Sequence, residues 1–339
     1  MYNNKNNKNV SSKTNKNSKY YKHYTYHVNW MTYSKKNDQN NDQNNNDELR
    51  AQKYSTYDTK SLNIDIPFKE APKSNDRWII IDASSIIFRY FYANNDMTNS
   101  KNQSINAING FCRIVLSFLH SPILRGNVIV IFDGAKKNFK KNFDGAYKGK
   151  RKPLPDALKE QLLLAEEFCI QSNIFFDKHI LYEADDLIAS YATQLPGEIY
   201  IIAYDKDFFQ LVNDRIFLWD YRKNIKIDSQ WIFEKYGIYP EQMVDFWCLV
   251  GDMSDNLYGV SGIGKKKASQ FLVKYGSLEN ILQSTIADQY DFNTAVNLKK
   301  IIGLKKDINV KNFTNGQCID FIKMNEFLKG LEINSLMYK

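Results

Sequence analysis

The sequence is poor in the residues that support thiol, disulfide and histidine chemistry. Its four cysteines lie far apart and form no CxxC pair: Cys112, Cys169, Cys248 and Cys318. This spacing argues for a reducing compartment and against a zinc ribbon or a disulfide framework. Only two histidines, His120 and His179, lie beyond residue 75, so mechanisms that need several histidines are poorly supplied.

Long apolar runs are also absent, and positive charge is scarce outside the N-terminal segment. No stretch of 18 or more apolar residues exists, so the sequence predicts no membrane span. Residues 1–75 hold 13 Lys and Arg against 7 Asp and Glu, whereas the remainder holds 33 against 31. The net charge of +8 is therefore mostly a property of the N-terminal segment. Aromatic residues are abundant (21 Phe, 22 Tyr and 5 Trp) and can fill a sizeable core.

The N-terminal segment, residues 1–75, is predicted to be disordered. Residues 1–46 contain 14 Asn and show no hydrophobic period. Residues 1–37 lack Asp and Glu, which is typical of organellar transit peptides, but no Arg precedes Arg50. Two interpretations stay open. The segment is a low-complexity extension of a nuclear or cytoplasmic protein, or it directs the chain to a plastid or mitochondrion.

Short apolar runs that each end in an acid predict the central architecture. They cover residues 77–82, 127–133 and 198–205, and helical patterns at 104–120, 155–172 and 183–195 lie between or beside them. Strands that alternate with helices predict an α/β fold with a mostly parallel sheet. We expect this domain at residues 76–238 and a helical domain at 239–339.

Nine carboxylates at five positions along the chain form the candidate metal site. They are Asp82, Asp133, Glu183, Asp185, Asp186, Asp205, Asp207, Asp252 and Asp255. Sites in parallel sheets form outside the carboxyl ends of the strands, where the strand-end acids would meet. A single strand-end Asp is commonly a helix cap, but three beside an acidic helix start are hard to explain as caps. Oxygen ligands suit Mg²⁺ better than Zn²⁺, and nine acids suit two ions, which can activate a water and stabilise a leaving oxygen.

The segment Glu183-Ala-Asp-Asp186 concentrates three of these acids in the first turn of a predicted helix. One or two acids are favourable there because of the helix dipole and the free amides. Three acids go beyond capping, since like charges ~4 Å apart repel by roughly 4 kcal/mol at an effective dielectric of ~20. The crowding predicts a positive group at this position.

Residues 134–152 carry eight Lys and Arg and a single acid, with Phe139, Phe143 and Tyr147 recurring every four residues. One interpretation is an amphipathic helix with an aromatic core stripe and a solvated basic face. The other is a groove for single-stranded nucleic acid, in which cations bind phosphates and rings stack on bases. Its position beside an acidic metal site favours the groove.

The stretch Gly259-Val-Ser-Gly262-Ile-Gly264-Lys-Lys-Lys-Ala268 contains a second candidate contact with nucleic acid. Two glycines allow a tight turn that brings backbone amides to a phosphate at a helix start. Three lysines, Lys265, Lys266 and Lys267, add charge. The pattern GVxGIGxKxA is typical of a helix–hairpin–helix that holds a duplex backbone without reading its sequence.

Together these residues resemble the 5′-nuclease family. That family includes the 5′–3′ exonuclease domain of bacterial family A DNA polymerases, stand-alone phage and bacterial 5′–3′ exonucleases and, more distantly, flap endonucleases. The motifs that carry the resemblance are Ile81-Asp82-Ala-Ser-Ser with Phe88-Arg89, Phe132-Asp133, Phe139-Lys140, Tyr147-Lys148-Gly-Lys-Arg151, Glu183-Ala-Asp-Asp186, Asp205-Lys-Asp207 and Gly251-Asp-Met-Ser-Asp-Asn256 leading into the glycine hairpin. The resemblance covers about residues 76–339.

The resemblance implies a PIN-like or resolvase-like sheet, a helical arch at 134–152 and a helix–hairpin–helix of the H3TH type. It implies a first metal bound by Asp82, Asp133, Glu183 and Asp185, and a second bound by Asp205, Asp207 and Asp255. Asp186 and Asp252 would act through water or as outer partners. It further implies that Lys148 reaches the scissile phosphate, that Arg89, Lys140 and Arg151 support phosphate binding, and that the hairpin holds a K⁺ ion.

Three departures from the family pattern stand out. Ala83 follows Asp82 where Gly is usual, Tyr204 replaces a Gly before Asp205, and Lys140 stands where Arg is common. Lysine lacks the bidentate fork of arginine, which weakens a phosphate contact at that position. None of the departures removes an acid, so we expect an active enzyme.

The expected activity is a Mg²⁺-dependent 5′–3′ exonuclease and 5′-flap endonuclease in replication and repair, with Mn²⁺ as a possible substitute. Expected substrates are 5′ flaps, nicked or gapped duplex and RNA-primed ends. Because the sequence ends at Lys339, we expect a stand-alone monomer that works beside a separate DNA polymerase. Two alternatives remain at this point: a structure-specific DNA-binding protein without catalysis, and a PIN-type ribonuclease.

Overall fold

A computed structural model describes residues 77–93, 97–121, 124–134, 140, 153–313 and 317–338. The leader and all of the arch except Gly134 and Lys140 lie outside these residues. Among the described residues, no helix is long and apolar enough to cross a membrane.

Six strands form the central sheet. They are β1 (Arg77–Asp82), β2 (Asn127–Phe132), β3 (Phe175–Lys178), β4 (Glu198–Ile202), β5 (Ile216–Asp220) and β6 (Ile225–Ile227). Their order is β3-β2-β1-β4-β5-β6, and every neighbouring pair is parallel except β5 and β6. The structure thus confirms the three predicted strands in one mostly parallel sheet and adds three more. A short antiparallel pair, β7 (Gly251–Asp252) and β8 (Leu257–Tyr258), lies further along the chain.

The α-helices flank this sheet and continue beyond it. The described ones are α1 (Ala83–Ala93), α2 (Asn106–Leu119), α3 (Asp156–Gln171), α4 (Ala184–Gln194), α5 (Ser229–Tyr236), α6 (Met243–Val250), α7 (Lys265–Tyr275), α8 (Leu278–Leu282), α9 (Asn293–Ile302) and α10 (Phe321–Gly330). The regions predicted to be helical at 104–120, 155–172 and 183–195 correspond to α2, α3 and α4. The α/β fold prediction is confirmed.

Strand β1 is at the centre because its side chains are apolar on both faces, as in parallel sheets covered by helices on both sides. Ile79 and Ile81 lie in the core cluster on one face, with α1, α2 and α3. Ile80 lies in the cluster on the other face, which continues through α4 and α6 to Leu298 of α9. The sheet and the C-terminal helices therefore share one hydrophobic core.

The segment after α9 crosses helix α4 and fixes its orientation. The Oδ1 atom of Asp186 accepts a hydrogen bond from the Lys305 amide (2.9 Å), and the Ser190 hydroxyl oxygen accepts one from the Ile308 amide (3.2 Å). Further along, the Tyr191 hydroxyl donates to Asp177 Oδ2 (2.7 Å) and accepts from the Lys311 amide (3.0 Å). Residues 305–311 thereby hold the helix that begins with the acidic segment.

Replacing Tyr191 with Phe tests this attachment. The Tyr191 side chain is fully buried, so Tyr191→Phe leaves the Lys311 amide and the Asp177 carboxylate each without one partner. Losing such hydrogen bonds costs about 1–3 kcal/mol. We expect a lower urea midpoint with an unchanged m-value.

Tyr275→Phe is the matched control, because its hydroxyl makes no hydrogen bond within the part of the chain that the structure describes, and its midpoint should stay near that of wild type. Equal midpoints for the two variants would show that the Tyr191 hydroxyl does not hold residues 305–311.

Candidate metal centre and nucleic-acid interface

The carboxyl ends of three adjacent strands bring together three of the predicted acids. Asp82 ends β1, Asp133 directly follows β2, and Asp205 lies three residues after β4. β1 pairs with both β2 and β4 in parallel, so all three acids emerge at one edge of the sheet. Neighbouring strands are ~4.8 Å apart, which places the three positions within about 10 Å along this edge.

Asp82 is buried in the middle of this group. Its Oδ1 accepts a hydrogen bond from the Ser85 amide (3.1 Å), which explains why helix α1 starts immediately after it. Burial raises the pKa of Asp82 to about 7, and the negative charges of Asp205 and Asp133 add to the shift although the Ser85 hydrogen bond opposes it. Burial is the main cause of this raised pKa, and repulsion of Asp82 by the two neighbouring acids adds to it.

A second group of acids comes from two parts of the chain, the α/β half that contains the central sheet and the helical half that begins after it. Asp207, Asp252 and Asp255 each offer a carboxylate oxygen, and these atoms lie within 4.8 Å of one another. The turn that carries Asp207 is fixed by Asp205, whose Oδ1 accepts from the Asp207 amide (2.9 Å). Asp252 is fixed in the same way by the Ser254 amide (3.0 Å) and hydroxyl (2.6 Å).

Lys206 joins the two halves at this group. Its Nζ pairs with Asp252 Oδ2 (2.8 Å) and lies 4.6 Å from the centre of the Trp247 ring on α6. Hydrogen bonds from Lys206 and Ser254 outweigh burial and lower the pKa of Asp252. The sequence patterns above do not identify Lys206, although its position between Asp205 and Asp207 is a signal that could have done so.

The second group fits a divalent cation. Burial raises the pKa of Asp207 to about 8, and the nearby carboxylates of Asp205, Asp252 and Asp255 contribute, opposed by Lys206. Crowded oxygen donors of this kind are what Mg²⁺ and Ca²⁺ bind, and a bound cation would remove the repulsion. The donor set contains no sulfur or imidazole, so it does not fit zinc as well.

The acidic start of α4 has the positive partner that its crowding requires. Glu183 precedes the helix in an extended conformation, and Asp186 is fully buried. Lys140, itself buried, lies with its Nζ 3.3 Å from Asp186 Oδ1 and 3.7 Å from Glu183 Oε2. Asp186 Oδ1 is therefore bound both by the Lys305 amide and by Lys140. These two contacts hold the buried carboxylate in the protein interior. Asp185 is half-buried at the same turn.

The position of Lys140 corrects one expectation. We expected it to contact a substrate phosphate, but in the structure its ammonium is buried against two acids. The reason is electrostatic, because three carboxylates in one helical turn need a nearby cation. The other residues expected in the arch lie outside the described residues: Phe139, Phe143, Tyr147, Lys148 and Arg151.

The glycine hairpin has the expected form, with one change in the lysines. Gly262 has a positive φ of 77°, which favours glycine, and Gly264 is the N-cap of α7. Lys265 and Lys266 are exposed at the start of that helix. Lys267, which we expected to add charge for a nucleic-acid contact, instead donates to the Gly262 carbonyl (2.9 Å) and the Tyr290 hydroxyl (3.0 Å), so it closes the hairpin.

An α/β sheet with an acid-lined carboxyl edge, joined to a helical hairpin domain, is the architecture of a metal-dependent nuclease. Family models match two consecutive parts of the chain, the 5′-3′ exonuclease N-terminal resolvase-like domain at residues 77–237 and the 5′-3′ exonuclease C-terminal SAM fold at residues 238–311. The chain therefore belongs to the 5′-3′ exonuclease family.

Similar proteins agree with this assignment. A 5′-3′ exonuclease of Aquifex aeolicus is 32% identical over 76% of this chain and 93% of its own length. The thermostable DNA polymerase I of Thermus thermophilus is 32% identical over 78% of this chain, but the match spans only 33% of the polymerase.

Solved structures share the fold at low sequence identity. The T5 D15 protein crystallised with metal ions matches with a TM-score of 0.53 at 19% identity, covering 67% of this chain and 86% of that chain. The catalytic core of Rad2 in complex with a DNA substrate matches with a TM-score of 0.51 at 17% identity, covering 78% of this chain and 93% of that chain.

The raised pKa values give the metal-free protein a specific pH dependence. The pKa of Asp207 rises from an ordinary value of 3.8 to about 8, so the folded chain binds a proton that the unfolded chain has released. The stabilisation from this proton is complete below about pH 4 and is lost as the pH rises toward 8. In EDTA, the melting temperature should fall between pH 5.5 and 9.

Asp207→Asn should make this fall smaller, since an amide does not titrate, and should leave the part that Asp82 contributes. Asp214→Asn, an exposed position, is the control and should follow the wild-type curve. Saturating Mg²⁺ should raise the melting temperature of the wild type most at pH 9. If the Asp207→Asn curve runs parallel to the wild-type curve, Asp207 does not carry the proton.

Proposed function

We propose that this chain is a Mg²⁺-dependent, structure-specific 5′–3′ exonuclease and 5′-flap endonuclease that hydrolyses DNA phosphodiesters. The observation that carries the proposal is the meeting of Asp207 with Asp252 and Asp255, because it builds one oxygen-donor site from both the α/β half and the hairpin half. A substrate held by the hairpin is thereby held beside the acids. Family membership and the fold of the Rad2 core that was solved with DNA support the same activity.

The metal is proposed to be Mg²⁺, with Mn²⁺ as a substitute. Asp82, Asp133, Glu183 and Asp185 would hold one ion, and Asp207 and Asp255, with Asp205, the other. When bound, such a pair activates a water molecule and stabilises the leaving oxygen of the phosphodiester.

Two lysines of the chain position the acids and balance part of their negative charge. Lys206 keeps Asp252 in place, and Lys140 holds the start of α4 so that the acids beside it do not move apart. Asp186 acts in this proposal as an outer partner, because its Oδ1 is bound by the Lys305 amide and by Lys140.

The hairpin is proposed to hold the duplex through the exposed Lys265 and Lys266 and the backbone amides at the start of α7. Such contacts read backbone charge and shape, not bases. The K⁺ ion expected at the hairpin stays a prediction, and Lys267 already donates to the Gly262 carbonyl.

We propose 5′ flaps, nicked or gapped duplex and RNA-primed ends as substrates, in primer and flap removal during replication and repair. The chain spans about a third of the length of the curated DNA polymerases that it matches. In those relatives the matched region is part of a longer chain named as a DNA polymerase, which supports the proposal that this chain works with a polymerase. The monomeric state and the role of the leader in targeting to a plastid or mitochondrion stay predictions.

Asp205→Asn is the sharpest test of catalysis. Asp205 fixes the turn that carries Asp207 and lies at the shared strand edge, so its loss should lower the rate of flap cleavage more than roughly a hundredfold. Binding of a labelled 5′-flap duplex should persist, since the hairpin is unchanged. Cleavage by the wild-type full-length chain should require Mg²⁺ and stop in EDTA.

The control is Asp214→Asn, which removes the same charge from an exposed position. This variant should cleave the flap at the wild-type rate. Parallel assays with flap, nicked, gapped and RNA-primed duplexes would rank the substrates. A wild-type chain that binds flaps tightly but cuts none of them with Mg²⁺ or Mn²⁺ would favour the DNA-binding alternative. Cleavage of single-stranded RNA alone would favour a PIN-type ribonuclease.

A further inference from the structure

Two of the three acids in the second group, Asp207, Asp252 and Asp255, differ in their surroundings. Both carboxylate oxygens of Asp252 are engaged: Oδ1 accepts from the Ser254 amide (3.0 Å) and hydroxyl (2.6 Å), and Oδ2 pairs with Lys206 Nζ (2.8 Å). The carboxylate of Asp207 accepts no hydrogen bond from the part of the chain that the structure describes. A cation that approaches the group can therefore bind Asp207 directly, but it reaches Asp252 only by replacing one of these contacts.

The pair between Asp252 and Lys206 is the contact that an incoming cation would replace. Ser254 lies two residues after Asp252, and its amide belongs to the turn that the acid caps. Lys206 comes from the α/β half and holds Oδ2 through a single ion pair. Its side chain is about a third exposed (31%), so the ammonium has a path into solvent. A cation that attracts the carboxylate repels this ammonium by the same law, so the ion pair gives way first.

The ring of Trp247 limits where the ammonium lies. Lys206 Nζ is 4.6 Å from the ring centre, and Trp247 is buried on α6. The ring packs edge-on against Phe246, with the ring centres 4.9 Å apart, and against Tyr236, with the centres 6.0 Å apart. These contacts fix its orientation, and tryptophan gives the strongest cation–π contacts among the aromatic residues. The ammonium is thus held between an aromatic face and a carboxylate.

The charge of Lys206 is close enough to change the affinity of the group for a divalent ion. The carboxylate oxygens of the three acids lie within 4.8 Å of one another, and the ammonium contacts one of these acids directly. A divalent ion among them would lie on the order of 5 Å from the ammonium. At that distance one positive charge lowers the affinity for a divalent ion about tenfold, even at the dielectric constant of water.

We propose that Lys206 is a resident counter-ion that competes with a divalent ion for Asp252 and so sets the affinity of the second group for metal. Trp247 is a positioning residue, because its ring keeps the ammonium beside that carboxylate. The inference rests on the proposed nuclease function, since that function requires the acids to bind divalent ions. It gives an unusual sign to the effect of a substitution: removing the charge of Lys206 tightens metal binding, whereas the loss of a merely structural contact would weaken it.

The test compares Mn²⁺ binding by the wild-type full-length chain, Lys206→Met and Lys226→Met, followed by the electron paramagnetic resonance signal of free Mn²⁺. Lys226 in β6 is the matched control, because its Nζ also lies over a ring, 3.3 Å from the centre of Phe217. It forms no ion pair with an acid in the described part of the chain. Lys206→Met should bind one class of Mn²⁺ about tenfold more tightly than the wild type, and Lys226→Met should bind like the wild type.

Further variants assign the effect to charge and to the second group. Lys206→Arg keeps the charge and adds a fork that binds carboxylates well, so Mn²⁺ should bind no more tightly than in the wild type. Lys206→Gln loses the charge and should tighten binding, and it replaces Lys206→Met if that variant does not fold. Asp207→Asn should abolish the class of site that Lys206→Met tightens. In Asp252→Asn, the addition of Lys206→Met should change the affinity much less.

Acetylation of lysines, measured by mass spectrometry, reports on the position of the Lys206 amine itself. Added Ca²⁺ should raise the acetylation rate of Lys206 severalfold in the wild type, because the ion takes the place of the amine at Asp252 and releases it to solvent. The rate at Lys226 should stay the same with and without Ca²⁺.

The proposal is overturned if Lys206→Met binds Mn²⁺ with wild-type or lower affinity, or if Ca²⁺ leaves the acetylation rate of Lys206 unchanged. A wild type that binds Mn²⁺ and cuts flaps in Mg²⁺ while either result holds removes the competition and leaves the nuclease function intact. A wild type that binds no Mn²⁺ and never cuts removes both.

Discussion

Repulsion among carboxylates at one edge of the sheet is the constraint on which the rest of this structure depends. The strand ends of β1, β2 and β4 and the turn at Asp252 place acids so close that burial and mutual repulsion raise the pKa of Asp82 and of Asp207. Protonation or nearby cations relieve this repulsion. Within the part of the chain that the structure describes, Lys140 and Lys206 form ion pairs with the acids. Divalent ions would supply the remaining charge.

The same constraint joins the two halves of the molecule. Lys206 belongs to the α/β half and Asp252 to the helical half, so their ion pair places the hairpin domain relative to the strand edge. The shared hydrophobic core and the segment 305–311 across α4 support this placement. In the proposed function, a duplex held by the hairpin would lie at a fixed distance from the acids. Specificity for the shape of DNA would then follow from this spacing, without contacts to bases.

The sequence alone predicted the elements whose signals are local. Three short apolar runs ending in Asp predicted β1, β2 and β4 and their common edge, because parallel strands of this kind are buried on both faces and end together. β3 was missed, since Phe175-Phe-Asp-Lys178 is only four residues long and only two of them are apolar. The antiparallel β6 was missed because it is three residues long and alternates Ile with Lys.

The roles of individual cations were the least predictable part of the site. Lys140 and Lys267 were interpreted as nucleic-acid contacts because composition shows that a charge exists but not where it points. In the folded chain, three crowded acids draw Lys140 inward, and the Gly262 carbonyl and Tyr290 hydroxyl bind Lys267.

The charge balance of the folded part explains why the position of each cation matters so much here. Residues 76–339 hold 33 basic and 31 acidic residues, so the nuclease and hairpin domains have almost no net charge with which to attract DNA. General electrostatic attraction is weak for such a surface, and binding depends on the few sites where cations are concentrated. Two such cations are the exposed Lys265 and Lys266 at the start of α7. In the proposed function, the acids would repel any phosphate whose charge is not neutralised, so a DNA strand would approach the edge only beside bound cations.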